Sequence, residues 1–323
     1  MNENKGILSG GWSMVMRNKR YIFWFWLLNL VLAAFGVSAF SEQAHHVLDN
    51  SLYSGKLMHT FNISVFAEML SRPEFGPTSA AGWSAFGFSV LFFVFTALFL
   101  PGVFLGYSSP YRLPREDFFR ACGRNLWRFI RLLFVSGIIM GIVAGLLFTL
   151  HGVIEKKAGD STNELLVPEV QLIGLIVIFL VMATLRIWFD LAEADIVLND
   201  QRAVRKSISA GFRHTWRSLG RLLTSYVVTT ILAAIILVAG ILIWQSWVQP
   251  GSTVSAFLVS QLTLFLLLIP RFWQRGIAVS YWQQKMLAPV VQTVPVITPI
   301  APVVTLAPAP IVVIPPSPAP EGA

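Results

Sequence analysis

The sequence predicts an all-α protein built into a membrane, a polytopic bundle of about six transmembrane helices, and three observations carry that prediction. Hydrophobic residues make up 55% of the 323 positions and charged residues only 12%, with a mean hydropathy of +0.67. Soluble domains hold roughly a quarter charged residues. Apolar runs recur that reach the ~20 residues needed to cross ~30 Å of hydrocarbon as a helix. Lys and Arg fall almost entirely on alternate connections, 20 of the 24 on one side. The positive-inside rule then places both termini in the cytoplasm, with an even number of spans, in a cell (inner) membrane.

Residues 1–20 form a basic opening segment, expected as a cytoplasmic interfacial helix, and "GGWSMVMRNKRYIFW" runs from it into the first span. The first span is Tyr21–Phe40. Its "GVSAF" end faintly resembles a signal peptidase site, but the run is long, aromatic and followed by further spans, so a retained helix is expected. The outer loop that follows carries "HTFNISVFAEMLSR", a candidate short surface helix. The second span, Ala85–Leu105, holds Pro101 near its cytoplasmic end, where a kink or a helix end is tolerated.

A second basic segment, "FFRACGRNLWRFIRLL", carries Arg120, Arg124, Arg128 and Arg131 at helical spacing and leads into the third span, Phe129–Leu150. Within that span Gly137, Gly141 and Gly145 make a small-xxx-small ridge, which lets a neighbouring helix approach closely, within the subunit or between subunits. The fourth span, Val170–Phe189, ends in "LRIWFDLAEADIVL". A third basic segment, "ISAGFRHTWRSLGRLL", carries Arg213, Arg217 and Arg221, with Val204, Ile208, Phe212 and Trp216 on another face. Spans five and six are Leu222–Trp244 and Val254–Trp273, and tryptophans cluster near span ends, where the ring suits the headgroup layer. The transmembrane domain is taken as 21–287 and the tail as 288–323. From Pro289 to Ala323 the tail has ten prolines and no basic residue, which predicts a disordered, polyproline II-like extension or a docking strip for a cytoplasmic partner.

The basic segments resemble one another, and so do the returning spans: Arg186-Ile-Trp188-Phe-Asp190 matches Arg271-Phe-Trp273-Gln-Arg275. Three hairpins follow, each an interfacial helix, an outward span and a returning span. The bracket Arg186, Asp190, Glu193, Arg271 and Arg275 has two readings. It is a ring of charges closing a cytoplasmic gate or holding an anionic ligand, or two arginines snorkelling to the headgroups, Arg186 paired to Asp190. On a helix Arg186, Asp190 and Glu193 share a face, and Asp195 points the other way. The arginines of the basic segments are candidate contacts for anionic lipid.

Catalytic constellations are absent from the sequence. The five histidines are scattered and none forms HExxH; there is no GxSxG elbow and no GxxxxGK[ST] phosphate loop. The single cysteine, Cys122, excludes an internal disulfide and a cysteine-built metal site. No cofactor, metal or nucleic acid is expected; the net charge of +8 is explained by retention of basic residues on one side.

"DFFRACGRNLWRFIRLL" and "RIWFDLAEADIVLNDQRAVRKSISAGFRHTWRS" resemble uncharacterised bacterial six-helix inner-membrane proteins, distantly similar to the membrane domain attached to some glycerophosphoryl diester phosphodiesterases. The likeness spans most of residues 10–285 in layout. It implies a bacterial membrane module without that enzyme activity, because no soluble phosphodiesterase domain occurs here. The expected function is a non-enzymatic membrane protein that organises anionic lipid or a partner protein. The alternative is a small permease for an amphiphilic or anionic solute, with Arg186 and Arg271 near its gate.

Overall fold

The computed structural model describes residues 6–48, 64, 68, 71, 80–160, 166–249 and 252–285. The tail and most of the outer loop, with its candidate surface helix, lie outside these. Among the described residues there are eight α-helices and no strand: α1 (Ile7–Arg17), α2 (Arg20–Leu48), α3 (Ala80–Ser108), α4 (Arg115–Gly159), α5 (Leu166–Leu198), α6 (Val204–Arg217), α7 (Leu219–Trp247) and α8 (Thr253–Lys285). Five of them, α3, α4, α5, α7 and α8, are long and apolar enough to cross a membrane. The described apolar stretch of α2, Arg20–Ala34, is shorter.

The helices overrun the spans read from hydropathy. α4 is one helix of 45 residues, ~68 Å at 1.5 Å per residue, so its basic start is continuous with its span rather than a separate surface helix. "RNLWRFIRLL" has good helix formers and no punctuation. In contrast α1 stops at Asn18 and α6 at Ser218, both with non-helical dihedrals. Pro101 and Pro270 end nothing: α3 continues to Ser108 and α8 to Lys285.

α2 packs on α3, α4 on α5 and α7 on α8. The strongest remaining contacts are α3 with α4, α5 with α6 and α1 with α8, while α3, α5 and α8 also touch one another. Burial concentrates where these three meet. Val103, Phe104 and Tyr107 of α3, Phe189 to Val197 of α5, and Phe272 and Ile277 to Trp282 of α8 are all buried. At the opposite end Ile142 and Leu146 of α4, Leu172 and Ile173 of α5, and Leu237 and Leu242 of α7 are exposed. Apolar side chains left outside the packed core are what a hydrocarbon solvent permits.

α1 and α6 are seated on α8 and α5 by one repeated device. Trp273 Nε1–H donates to the Leu8 carbonyl (2.9 Å), and Trp188 Nε1–H donates to the Ile208 carbonyl (2.7 Å). Three residues on from each acceptor stands a glycine against backbone. A Cβ at Gly11 would lie 2.7 Å from Ile277 N, and one at Gly211 would lie 3.1 Å from Ala192 N and 2.8 Å from Trp188 O. The next residue puts a ring on the same tryptophan: Trp12 on Trp273 at 4.8 Å between centroids, and Phe212 on Trp188 at 5.1 Å. Trp188 and Trp273 therefore serve the packing of the helices, whereas Trp24, Trp127, Trp216 and Trp247 are exposed as an interfacial belt requires.

The glycine ridge of the third span packs against none of the described residues. Gly137, Gly141 and Gly145 are exposed, and a Cβ at any of them would meet nothing within 4 Å. The close approaches fall elsewhere, at Gly102 against Phe118 and Cys122, at Gly174 against His151 and at Gly240 against Thr263.

Candidate functional site

The charged bracket lies where α5, α7 and α8 meet. α5 brings Arg186, Asp190 and Glu193 to one face, as helical spacing requires. Arg186 Nη2 sits 3.0 Å from Asp190 Oδ1, in ion-pair rather than aligned hydrogen-bond geometry. Asp190 is fully buried, and its other oxygen accepts a hydrogen bond from Tyr226 Oη of α7 (2.8 Å). The same hydroxyl lies 3.2 Å from the Gln274 carbonyl of α8. Gln274 Nε2 in turn donates to Thr229 Oγ1 and Thr230 Oγ1, both at 3.2 Å. This network ties three helices together across a low-dielectric interior, where a satisfied polar chain is stiffer than its members taken singly.

Glu193 and Arg275 stand differently. Both are buried, at 1% and 3% exposure, and neither has an ion-pair partner within 4 Å among the described residues. Glu193 Oε2 and Arg275 Nε make no hydrogen bond there either. Arg186, Arg271 and Arg275 are nonetheless close enough to act electrostatically on Glu193. Arg275 lies 5.2 Å from the centroid of the Phe272 ring and within electrostatic range of the buried Tyr107 hydroxyl of α3, which also lacks a partner. Arg271, one turn earlier on α8, is exposed. Asp195 points away, as its spacing predicts, and accepts from Asn199 Nδ2 at 2.6 Å.

Arg271 is not Asp190's partner; that carboxylate is taken up by Arg186 and Tyr226. Arg186 pairs with Asp190 and Arg271 is exposed, as the snorkelling reading expects, while Arg275 is interior. Sequence reasoning missed Tyr226, Gln274 and Tyr107. The spacing Tyr226, Thr229, Thr230, a polar stripe inside an apolar span, was the available signal.

The arginines of the basic segments divide into two sets. Arg120 pairs with Asp117 at 3.2 Å, while Arg124 and Arg128 both approach Asp200, at 3.6 and 2.7 Å. Asp200 sits in the α5–α6 connection with φ of 47°, and its hydrogen bond to Arg128 holds its carboxyl below the usual range. Arg131 lies 5.2 Å from the Trp127 ring centroid. Arg213, Arg217 and Arg221 are exposed and have no ion pair among the described residues, beside Phe212 and Trp216, which are 49% and 66% exposed. Arg221 also lines an open groove of about 470 Å³ between α1 and α7, together with Ile7, Leu8, Thr224, Ser225 and Val228.

Cys122 is buried with its Sγ toward Gly102 of α3, a packing position. No group of three or more His, Cys, Asp or Glu that could hold a metal occurs among the described residues. Fold and site together define a multi-pass helical membrane protein with a packed, charged end. No family model, curated protein or solved structure matches the chain.

Proposed function

We propose that the protein is a non-enzymatic, six-span inner-membrane protein that gathers anionic lipid at its cytoplasmic face. α2 supplies the sixth span, and three hairpins surround the α3–α5–α8 centre. This extends the resemblance to bacterial six-helix membrane modules. The observation that carries the reading is the set Arg213, Arg217 and Arg221, without an ion pair among the described residues, beside the exposed Phe212 and Trp216. An interfacial helix that buries its small residues (Ser207, Gly211 and Thr215) against the bundle leaves its cations and rings for the headgroup layer. Each basic residue near an anionic surface contributes about 1 kcal/mol, so three suffice for a clear lipid preference. The α1–α7 groove, lined by Ile7, Leu8 and Val228 as well as Arg221, suits one acyl chain below a charged headgroup.

The test is native mass spectrometry of protein released from nanodiscs that hold equal phosphatidylglycerol and phosphatidylcholine. Wild type should retain phosphatidylglycerol preferentially, and R213Q/R217Q/R221Q should lose that preference. Equal retention of both lipids by wild type overturns the reading. A chain ending at Leu287 separates the tail's contribution: partner proteins that co-purify only with the full chain belong to the tail, and lipid preference should not change.

A further inference from the structure

We propose that Arg271 and Arg275, backed by Arg186, form a binding site for a single phosphate group just inside the basic end of α8. Three guanidiniums face two carboxylates here, Asp190 and Glu193. Asp190 is spent: one oxygen lies against Arg186 at 3.0 Å and the other takes the Tyr226 hydroxyl at 2.8 Å. Glu193 alone is left for Arg271 and Arg275, and it is within ion-pair distance of neither among the described residues. The cluster thus holds one positive charge more than its carboxylates neutralise, with the excess on the exposed Arg271.

Buried polar atoms lack hydrogen-bond partners here as well, with Glu193 Oε2 and Asp190 Oδ1 among the acceptors. Arg275 Nε–H and the Tyr107 hydroxyl are buried without acceptors. A phosphate group brings several acceptor oxygens and a negative charge, and arginine is the side chain that matches that geometry with a rigid fork of donors. Arg271 and Arg275 stand one turn apart on the same face of α8, the first exposed and the second buried. Together they make a step from the surface to the interior. A phosphodiester with one charge would balance the cluster. A lipid headgroup and free inorganic phosphate share that chemistry.

The full-length protein in detergent would be titrated by calorimetry with inorganic phosphate and, separately, with dioctanoyl phosphatidylglycerol. Binding of phosphatidylglycerol alone identifies a lipid headgroup; binding of both identifies a site for the phosphate group itself. In either case R271Q should weaken binding about tenfold or more, and R275K should weaken it too, because an ammonium cannot supply the fork. R271Q alters an exposed residue and serves if R275K does not fold. R213Q/R217Q/R221Q should bind as wild type at this site. No binding of either ligand, or unchanged binding by R271Q, overturns the proposal. Loss of binding in the R213Q/R217Q/R221Q protein alone would assign the ligand to the outer surface. The two sites share no residue, so either can fail without the other.

Discussion

Gly276→Ala should detach α1 from α8, and its cost follows from one contact. A Cβ at Gly276 would lie 2.7 Å from the Gly11 carbonyl oxygen, with Gly11 C and Cα at 3.2 Å. Comfortable carbon–oxygen contact begins at about 3.3 Å, so the two helix backbones must part by roughly 0.6 Å. Neither partner is a side chain that can turn aside. Parting also stretches the Trp273–Leu8 hydrogen bond, now 2.9 Å, and loosens Trp12 on Trp273. Overpacking of this kind costs about 1–3 kcal/mol, and a lost hydrogen bond about 1 kcal/mol more. Replacing a helical glycine by alanine returns about 1 kcal/mol of helix propensity. The net loss should be about 1–3 kcal/mol. Gly141→Ala makes the same chemical change where a Cβ meets nothing, so it should be neutral or stabilising by up to about 1 kcal/mol. Unfolding in detergent, followed by tryptophan fluorescence, should separate the two variants clearly. Equal midpoints for Gly276→Ala and Gly141→Ala would refute the close packing of α1 on α8.

Tyr226→Phe should cost about 1.5–3 kcal/mol in the same unfolding measurement, because it removes the neutral donor to the buried Asp190. At Asp200, with φ of 47°, Ala should be less stable than Gly by about 1–2 kcal/mol, since both lose the Arg128 ion pair but only Ala keeps a Cβ in the left-handed region; equal midpoints would remove backbone conformation as the reason. His214 is held below its ordinary range, first by burial and then by Arg213 and Arg217, with Asp195 opposing. The folded state thus binds its proton less readily than the unfolded chain. His214's contribution is fully present above about pH 6.5 and is lost as pH falls below that, down to the folded value; His214→Gln should flatten that part of the pH–stability profile.

The repeated Trp-centred motif was legible in the sequence, and it corresponds to one docking geometry used twice. Arg186-Ile-Trp188 and Arg271-Phe-Trp273 each place an indole where it caps a glycine-bearing helix. Helix α1 itself was legible from "GGWSMVMRNKR", and so was the Arg186–Asp190 pair, because both are local. What was not legible depends on which apolar face meets protein and which meets lipid. Hydropathy scores those faces alike, since lipid tails are as apolar as leucine. Gly137, Gly141 and Gly145 read as a packing ridge for that reason and turn out exposed, while Gly11 and Gly276 carry the closest backbone approach. The burial of Glu193 and Arg275 was hidden likewise: each sits near a span end, where a charge would ordinarily reach the headgroups. Capture of Arg128 by Asp200 required knowing that the α5–α6 connection folds back over α4.

The seat of α1 has a consequence for biosynthesis. Trp273 and Leu8 are bonded across 265 positions of sequence, and Ile277, whose amide faces Gly11, is made later still. Synthesis runs from the N-terminus at about 5–20 residues per second, so α1 spends on the order of tens of seconds without its dock. Through that interval Gly11 and the Leu8 carbonyl have no α8 to pack against. The seating of α1 on α8 can come only after α8 is made. α1 is thus made early and seated late, and a chain arrested before α8 would leave it without its dock.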